Sequence, residues 1–284
     1  MKNAAEWKAF YAQERAALGE VGLRERLDRA PELELPAGGA LFFPHTMLSA
    51  TGHLVAAVAL AAVRSGAHEV LAVGVLHGAR RSDADLVARA REGDLAAREA
   101  VRKVHAGDDA IAAEEFSLDG FVAMLDLAAA HEGRPTPRVH ARLPFLVGDD
   151  PASLPGLDDL GRLAERMPVV ATADPLHHGA GYLTPERLRR SERDPSTHAW
   201  ARGCLETQLR LLCAGQWTAF ATLADEMRCD ARDGGPVLAH LLRGPDGGYT
   251  VTGEVLELHL VDYAEVLAAE HPTWVAGPLM RLSR

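Results

Sequence analysis

The sequence predicts an α/β fold: a single domain with a central, mostly parallel or mixed sheet flanked by helices. Short apolar runs alternate along the chain with longer segments of helical apolar spacing. The 284 residues suffice to bury a sizeable core. No internal repeat, low-complexity linker or composition break divides them, so one domain is expected over residues 1–284, with residues 1–38 as an N-terminal helical extension.

The elements follow in order. MKNAAEWKAFYAQERAAL opens the chain with charges mixed into an apolar helical pattern. ALFF (Ala40–Phe43) reads as a buried strand, and Ala50 to Arg64 as a helix with caps at Ser49 or Thr51, closed by Gly66. EVLAVGVL (Glu69–Leu76) is the next strand, and Ser82 to Val104 a charged amphipathic helix. Ser117 to Ala130 is helical, ended by Gly133 and Pro135. RLPFLVG (Arg142–Gly148) and PVVATA (Pro168–Ala173) are two further strands. Thr184-Pro185-Glu186 has the form of a helix start, with Thr as cap and Pro at the first helical position. Helices are expected over Thr197–Ala214, Thr218–Arg228 and Pro236–Arg243, then strands within Tyr249–Tyr263 and Thr273–Leu282.

A formal net charge of -10 argues against nucleic acid, whose phosphates call for a basic face. LVAAVALAAV (Leu54–Val63), the longest apolar segment, is too short to span a bilayer, and the N-terminal residues lack the unbroken apolar stretch of a signal peptide. Cys204, Cys213 and Cys229 form no CxxC pair and leave one over in any disulfide scheme, which suits a reducing cytoplasm. A cytoplasmic protein acting on a small molecule is the expectation.

In an open α/β sheet, ligands bind beyond the carboxyl ends of the strands. His45 follows ALFFP, His77 follows EVLAVGVL, and Asp174 with His177 follows PVVATA in VVATADPLHHGAGY. Cys229, in MRCDARDGGP, falls between two helical patterns. Taken singly, each of these has an ordinary structural explanation: a loop histidine that hydrogen-bonds, or a half-buried thiol. Together they supply donors suited to Fe(II), Zn or Cu.

The ordered set FPHTMLSATG, GVLHG, EEFSLDGF, LPFLVG, ATADPLHHG and CDARDGGPVL resembles the Memo family, which is related in fold to the class III (LigB-type) extradiol ring-cleavage dioxygenases. The terminal LVDYAEV and WVAGPL are similar to that family's ending, so the resemblance covers about Leu41 to Leu282. It implies metal ligands at His45, His77 and Cys229, with His177 as acid/base and Asp174 either orienting it or touching a metal-bound water. The extradiol relatives use a carboxylate as third ligand; should a Cys229→Ser variant keep its metal, that role falls to Asp174, Asp230 or Asp233. Gly78, Phe116 and Thr46-Met47-Leu48 depart from the family's pattern, as does Asp230 to Asp233 in place of its G-x-x-P, while Glu115, Ser117 and Asp119 are kept. Arg232, His178 and Glu115 are candidates for substrate binding, Arg232 as an anchor for a carboxylate.

The resemblance therefore implies a mononuclear non-heme iron enzyme that oxidises a small organic substrate with O2. A thiolate ligand leans toward copper or zinc, which keeps two other readings open. One is a zinc-dependent hydrolase with His177 or Asp174 as base. The other is a metal- or peptide-binding module without turnover on the same fold.

Overall fold

In a computed structural model, which describes residues 2–77, 84–244 and 247–284, helices cover both faces of an eight-stranded mixed sheet. The first half runs α1 (Ala4–Asp28), β1 (Gly39–Phe43), α2 (Leu48–Arg64), β2 (Glu69–Val73), α3 (Ala84–Arg91), α4 (Leu95–Val101), β3 (Lys103–Ala106) and α5 (Asp119–Glu132). The second half runs β4 (Arg138–Phe145), α6 (Leu157–Arg166), β5 (Val169–Thr172), β6 (Leu176–Gly179), α7 (Pro195–Ala214), α8 (Trp217–Met227), α9 (Gly234–Arg243), β7 (Thr252–Asp262) and β8 (Thr273–Ser283). Strand order is β3-β4-β2-β5-β1-β8-β6, with β7 on the other edge of β8.

The four inner strands β4, β2, β5 and β1 are parallel; β3 and β8 join them antiparallel, and β6 and β7 each pair antiparallel with β8. β1, β2 and β5 are apolar almost throughout because both faces are covered, whereas β4 (RVHARLPF) is apolar and buried only at its carboxyl end. Leu41 and Phe43 of β1, Val70 and Ala72 of β2 and Val170 of β5 pack under α1, α2 and α5. The alternate residues Ala40, Phe42, Leu71, Val73, Val169 and Ala171 pack under α6, α7, α8 and α9. Parallel alignment brings the carboxyl ends of β1, β2 and β5 to one rim, and the residues just beyond them become neighbours there.

Several expectations shift in detail. The helix expected from Ser82 to Val104 is two: Gly93, at φ 99, breaks it, and Asp94 accepts a hydrogen bond from Ala97 N–H to start α4. Ser82 itself and Gly78 lie outside the described residues. Thr184-Pro185-Glu186 yields only a single 3-10 turn over Glu186–Leu188; the long helix starts at Pro195, where Asp194 accepts from Ser196 N–H. Neither Ser49 nor Thr51 caps α2. Its N-cap, Met47, has no capping side chain, and Glu14 of α1 accepts from Leu48 N–H and Ser49 N–H at 3.2 and 2.7 Å. The N-terminal helix thus completes the helix that follows the first strand. β3, β6 and α6 are additional to the expected elements; α6 has Leu157, Leu160 and Leu163 at helical spacing and Asp158 and Asp159 in its first turn. Among the described residues no helix is long and apolar enough to cross a membrane.

Candidate metal centre

His45 lies two residues beyond β1, His77 four beyond β2 and Asp174 two beyond β5, all on the shared rim. His177 comes from β6, and Asp230 from the turn after α8. The three imidazoles meet at one oxygen. Asp230 Oδ2 lies 3.2 Å from His45 Nε2, 3.5 Å from His77 Nε2 and 3.6 Å from His177 Nε2. Asp174 Oδ2 stands 3.5 Å from His45 Nε2, and its Oδ1 accepts from His45 N–H at 3.1 Å. The donors form two groups of three, His45–His77–Asp230 and Asp174–His177–Asp230, which share Asp230.

Each imidazole has its other nitrogen engaged by oxygen. Thr172 gives its hydroxyl proton to Phe43 C=O (2.9 Å), so its oxygen accepts from His45 Nδ1–H at 3.1 Å. Glu115 Oε1 accepts from His77 Nδ1–H at 3.1 Å, and the Arg228 carbonyl from His177 Nδ1–H at 2.7 Å. The tautomer follows: in each neutral ring the proton is on Nδ1 and the lone pair on Nε2. Three lone pairs facing one carboxylate oxygen repel it unless a cation lies between. A metal ion or a proton must therefore occupy this point, and engagement of Nδ1 by carboxylate, carbonyl or hydroxyl is the support that metal-bound histidines receive.

Local structure explains each support. Ser117 Oγ takes Val75 N–H and returns its proton to Val75 C=O, clamping the segment that ends in His77 onto the turn bearing Glu115. Arg228 ends α8 at φ 53, a left-handed conformation uncommon outside glycine, with its carbonyl on His177. Gly179, at φ 106, ends β6; a Cβ there would sit 1.9 Å from Pro272 O, so only glycine fits beside the two histidines.

The charges sort the carboxylates. Burial works to raise Asp230, but His177, His45 and His77 outweigh it and hold its carboxyl well below the usual range. Burial raises Asp174, with His45 opposing and Asp230 adding to the rise. Two adjacent carboxyls pushed apart in this way divide the work: Asp230 remains the anion and Asp174 takes a proton more readily. Burial pulls His77 down, yet Glu115 and Asp230 on either side carry it up to about 10.

Cys229 is a correction to the ligand set implied by the resemblance. Its thiol donates to Gln208 Oε1 at 3.5 Å, within the core under α7 and α8, and burial raises its pKa. Cys229 Sγ is hydrogen-bonded to Gln208, and the next residue, Asp230, brings its carboxylate to the histidines. Glu115 is not a substrate contact either. Its two oxygens accept from His77 N–H, His77 Nδ1–H, Phe116 N–H and Ser117 N–H, and it positions His77. His178, next to His177 on β6, faces away from the centre; it is buried between Trp200 and Trp274 and accepts from Arg190 N–H at 2.9 Å. Arg232 is paired with Asp225, Asp233 and Asp149, which compete with any substrate carboxylate for its guanidinium.

Aromatic rings close the rim. Phe116 stacks on His77 with centroids 4.6 Å apart, Tyr11 of α1 stacks on Phe116, and Tyr182 meets the edge of His177 at 4.9 Å. Tyr11 and Tyr263 share a hydroxyl contact of 2.9 Å, and burial raises both phenols. The N-terminal helix is therefore a wall of the site. The sequence matches no protein-family model, and no curated protein matches it either.

Replacing Glu115 with Gln should weaken metal affinity by about 10–100-fold in a calorimetric titration, since the support of His77 loses its charge; unchanged affinity would contradict that role. His178 gives a pH prediction. Burial, with Arg190 adding to it, lowers its pKa to about 4, against about 6.5 in the unfolded chain. Between those values the unfolded chain binds more protons, so stability is full above about pH 6.5 and falls toward pH 4. In metal-free protein, urea unfolding of a His178→Gln variant should lack that component, at most about 1.4 kcal/mol per pH unit; parallel pH profiles for variant and parent would contradict it.

Proposed function

We propose that the chain is a mononuclear non-heme metal enzyme of the Memo and class III extradiol kind, which holds Fe(II) on His45, His77 and Asp230 and oxidises a small organic molecule with O2. One observation carries the reading: three imidazoles, each engaged by oxygen at Nδ1, turn Nε2 toward a single half-buried carboxylate. Two imidazoles and one carboxylate suit Fe(II), and the carboxylate removes the thiolate preference for copper or zinc. Bound there, Fe(II) would supply adjacent open positions for O2 and substrate.

His177 belongs to the second donor group, with Asp174. Its Nδ1–H stays on the Arg228 carbonyl while Nε2 accepts and returns a proton, general acid/base work suited to an imidazole. Asp174 holds the backbone of His45 and, with its raised pKa, serves as a proton reservoir beside His177. Trp7, Tyr11, Phe116 and Tyr182 exclude water from the reacting face. Three cysteines without disulfides fit a reducing cytoplasm as the place of this chemistry.

Protein purified without oxygen should carry stoichiometric iron and consume O2 with some member of a panel of small phenols and amino acids. A His177→Ala variant should keep its iron and lose about 10²–10⁴-fold in turnover. Stoichiometric zinc with no O2 uptake would overturn the reading in favour of hydrolysis.

A further inference from the structure

Between α2 and β7, a second pair of imidazoles faces one carboxylate. His53 comes from α2, and Glu257 and His259 from β7, two residues apart and hence on one face of the strand. His53 Nε2 lies 3.1 Å from Glu257 Oε1, and His259 Nε2 lies 2.8 Å from the same oxygen. The two rings stand edge to face, centroids 4.9 Å apart and planes at 84°. One ligand atom from each residue lies within 4.8 Å of the other two.

The scaffold holds these donors in place. Most of α2 is buried, and β7 is paired along β8 from Thr252 to Asp262. Across the ladder from His259 is Gly277, where an added Cβ would meet Thr51 Cγ2 of α2 at 2.9 Å. The missing side chain lets α2 lie close against the sheet, within reach of β7. The side chains of His53, Glu257 and His259 are 19%, 37% and 39% exposed, which leaves coordination positions open to water.

We propose that His53, Glu257 and His259 form a second metal site, for a borderline divalent ion of the Zn²⁺ class, that clasps the edge strand β7 to α2. Two imidazole nitrogens and one carboxylate oxygen suit such an ion and disfavour Ca²⁺ or Mg²⁺, which require oxygen donors. Each donor comes from a regular element, so little ordering cost falls on binding. The site is separate from Asp230 and does not depend on the function proposed for that centre.

The test is calorimetric titration of chelator-stripped, full-length protein with Zn²⁺ alone. An Asp230→Asn variant, which takes a donor from both groups at the first centre, should still bind one equivalent, and a further Glu257→Gln change should abolish that binding. Glu257→Gln keeps an oxygen acceptor for both histidines, so an ordinary hydrogen-bonded cluster would tolerate it. In otherwise unaltered protein, Glu257→Gln should lower zinc stoichiometry by one equivalent and remove a zinc-dependent rise in melting temperature of about 5 °C. Zinc binding with the same stoichiometry in Glu257→Gln as in its parent, in either background, would overturn the proposal; so would no binding by the Asp230→Asn variant together with a single equivalent in the parent.

Discussion

The rim of this sheet depends on one constraint: three Nε2 lone pairs and the Asp230 carboxylate meet at a point that requires positive charge. The supports behind it are spread through the fold. Thr172 belongs to β5, Glu115 to the turn before α5, and the Arg228 carbonyl to the left-handed end of α8. Moving any of these elements by an ångström would release an imidazole from its acceptor. The parallel register of β1, β5 and β2 and the packing of α8 are thus what make the donor set a set.

The N-terminal helix belongs to the same arrangement, although it precedes the stretch that carries the family resemblance. Its Glu14 carboxylate receives the free N–H groups at the start of α2. Lys8 Nζ donates to the Glu115 carbonyl at 3.0 Å. Trp7 and Tyr11 pack against Tyr263 and Phe116 above the histidines. One helix therefore supplies a cap, a fastening for the turn beneath His77 and a hydrophobic cover.

β1, β2 and β5 were legible because burial on both faces leaves apolar runs, and a polar residue just past such a run stands out. That made His45, His77, Asp174 and His177 visible. β6 was not legible, because LHHG gains strand character only by pairing with β8. Asp230 stood in the sequence only as one of three substitutes for Cys229: which of two adjacent side chains turns inward depends on the backbone direction after α8, which residue types do not encode. Arg232 and Glu115 had the right chemistry for binding a ligand, but the fold commits them to Asp225, Asp233 and His77.

The central claim is that Asp230, and not its neighbour Cys229, completes the centre with His45 and His77. Metal content of Asp230→Asn and Cys229→Ser proteins, purified side by side without oxygen and checked for folding by circular dichroism, tests it most directly. The account predicts that Cys229→Ser retains metal at the parent level and that Asp230→Asn loses it. Loss of metal from Cys229→Ser with retention in Asp230→Asn would contradict it.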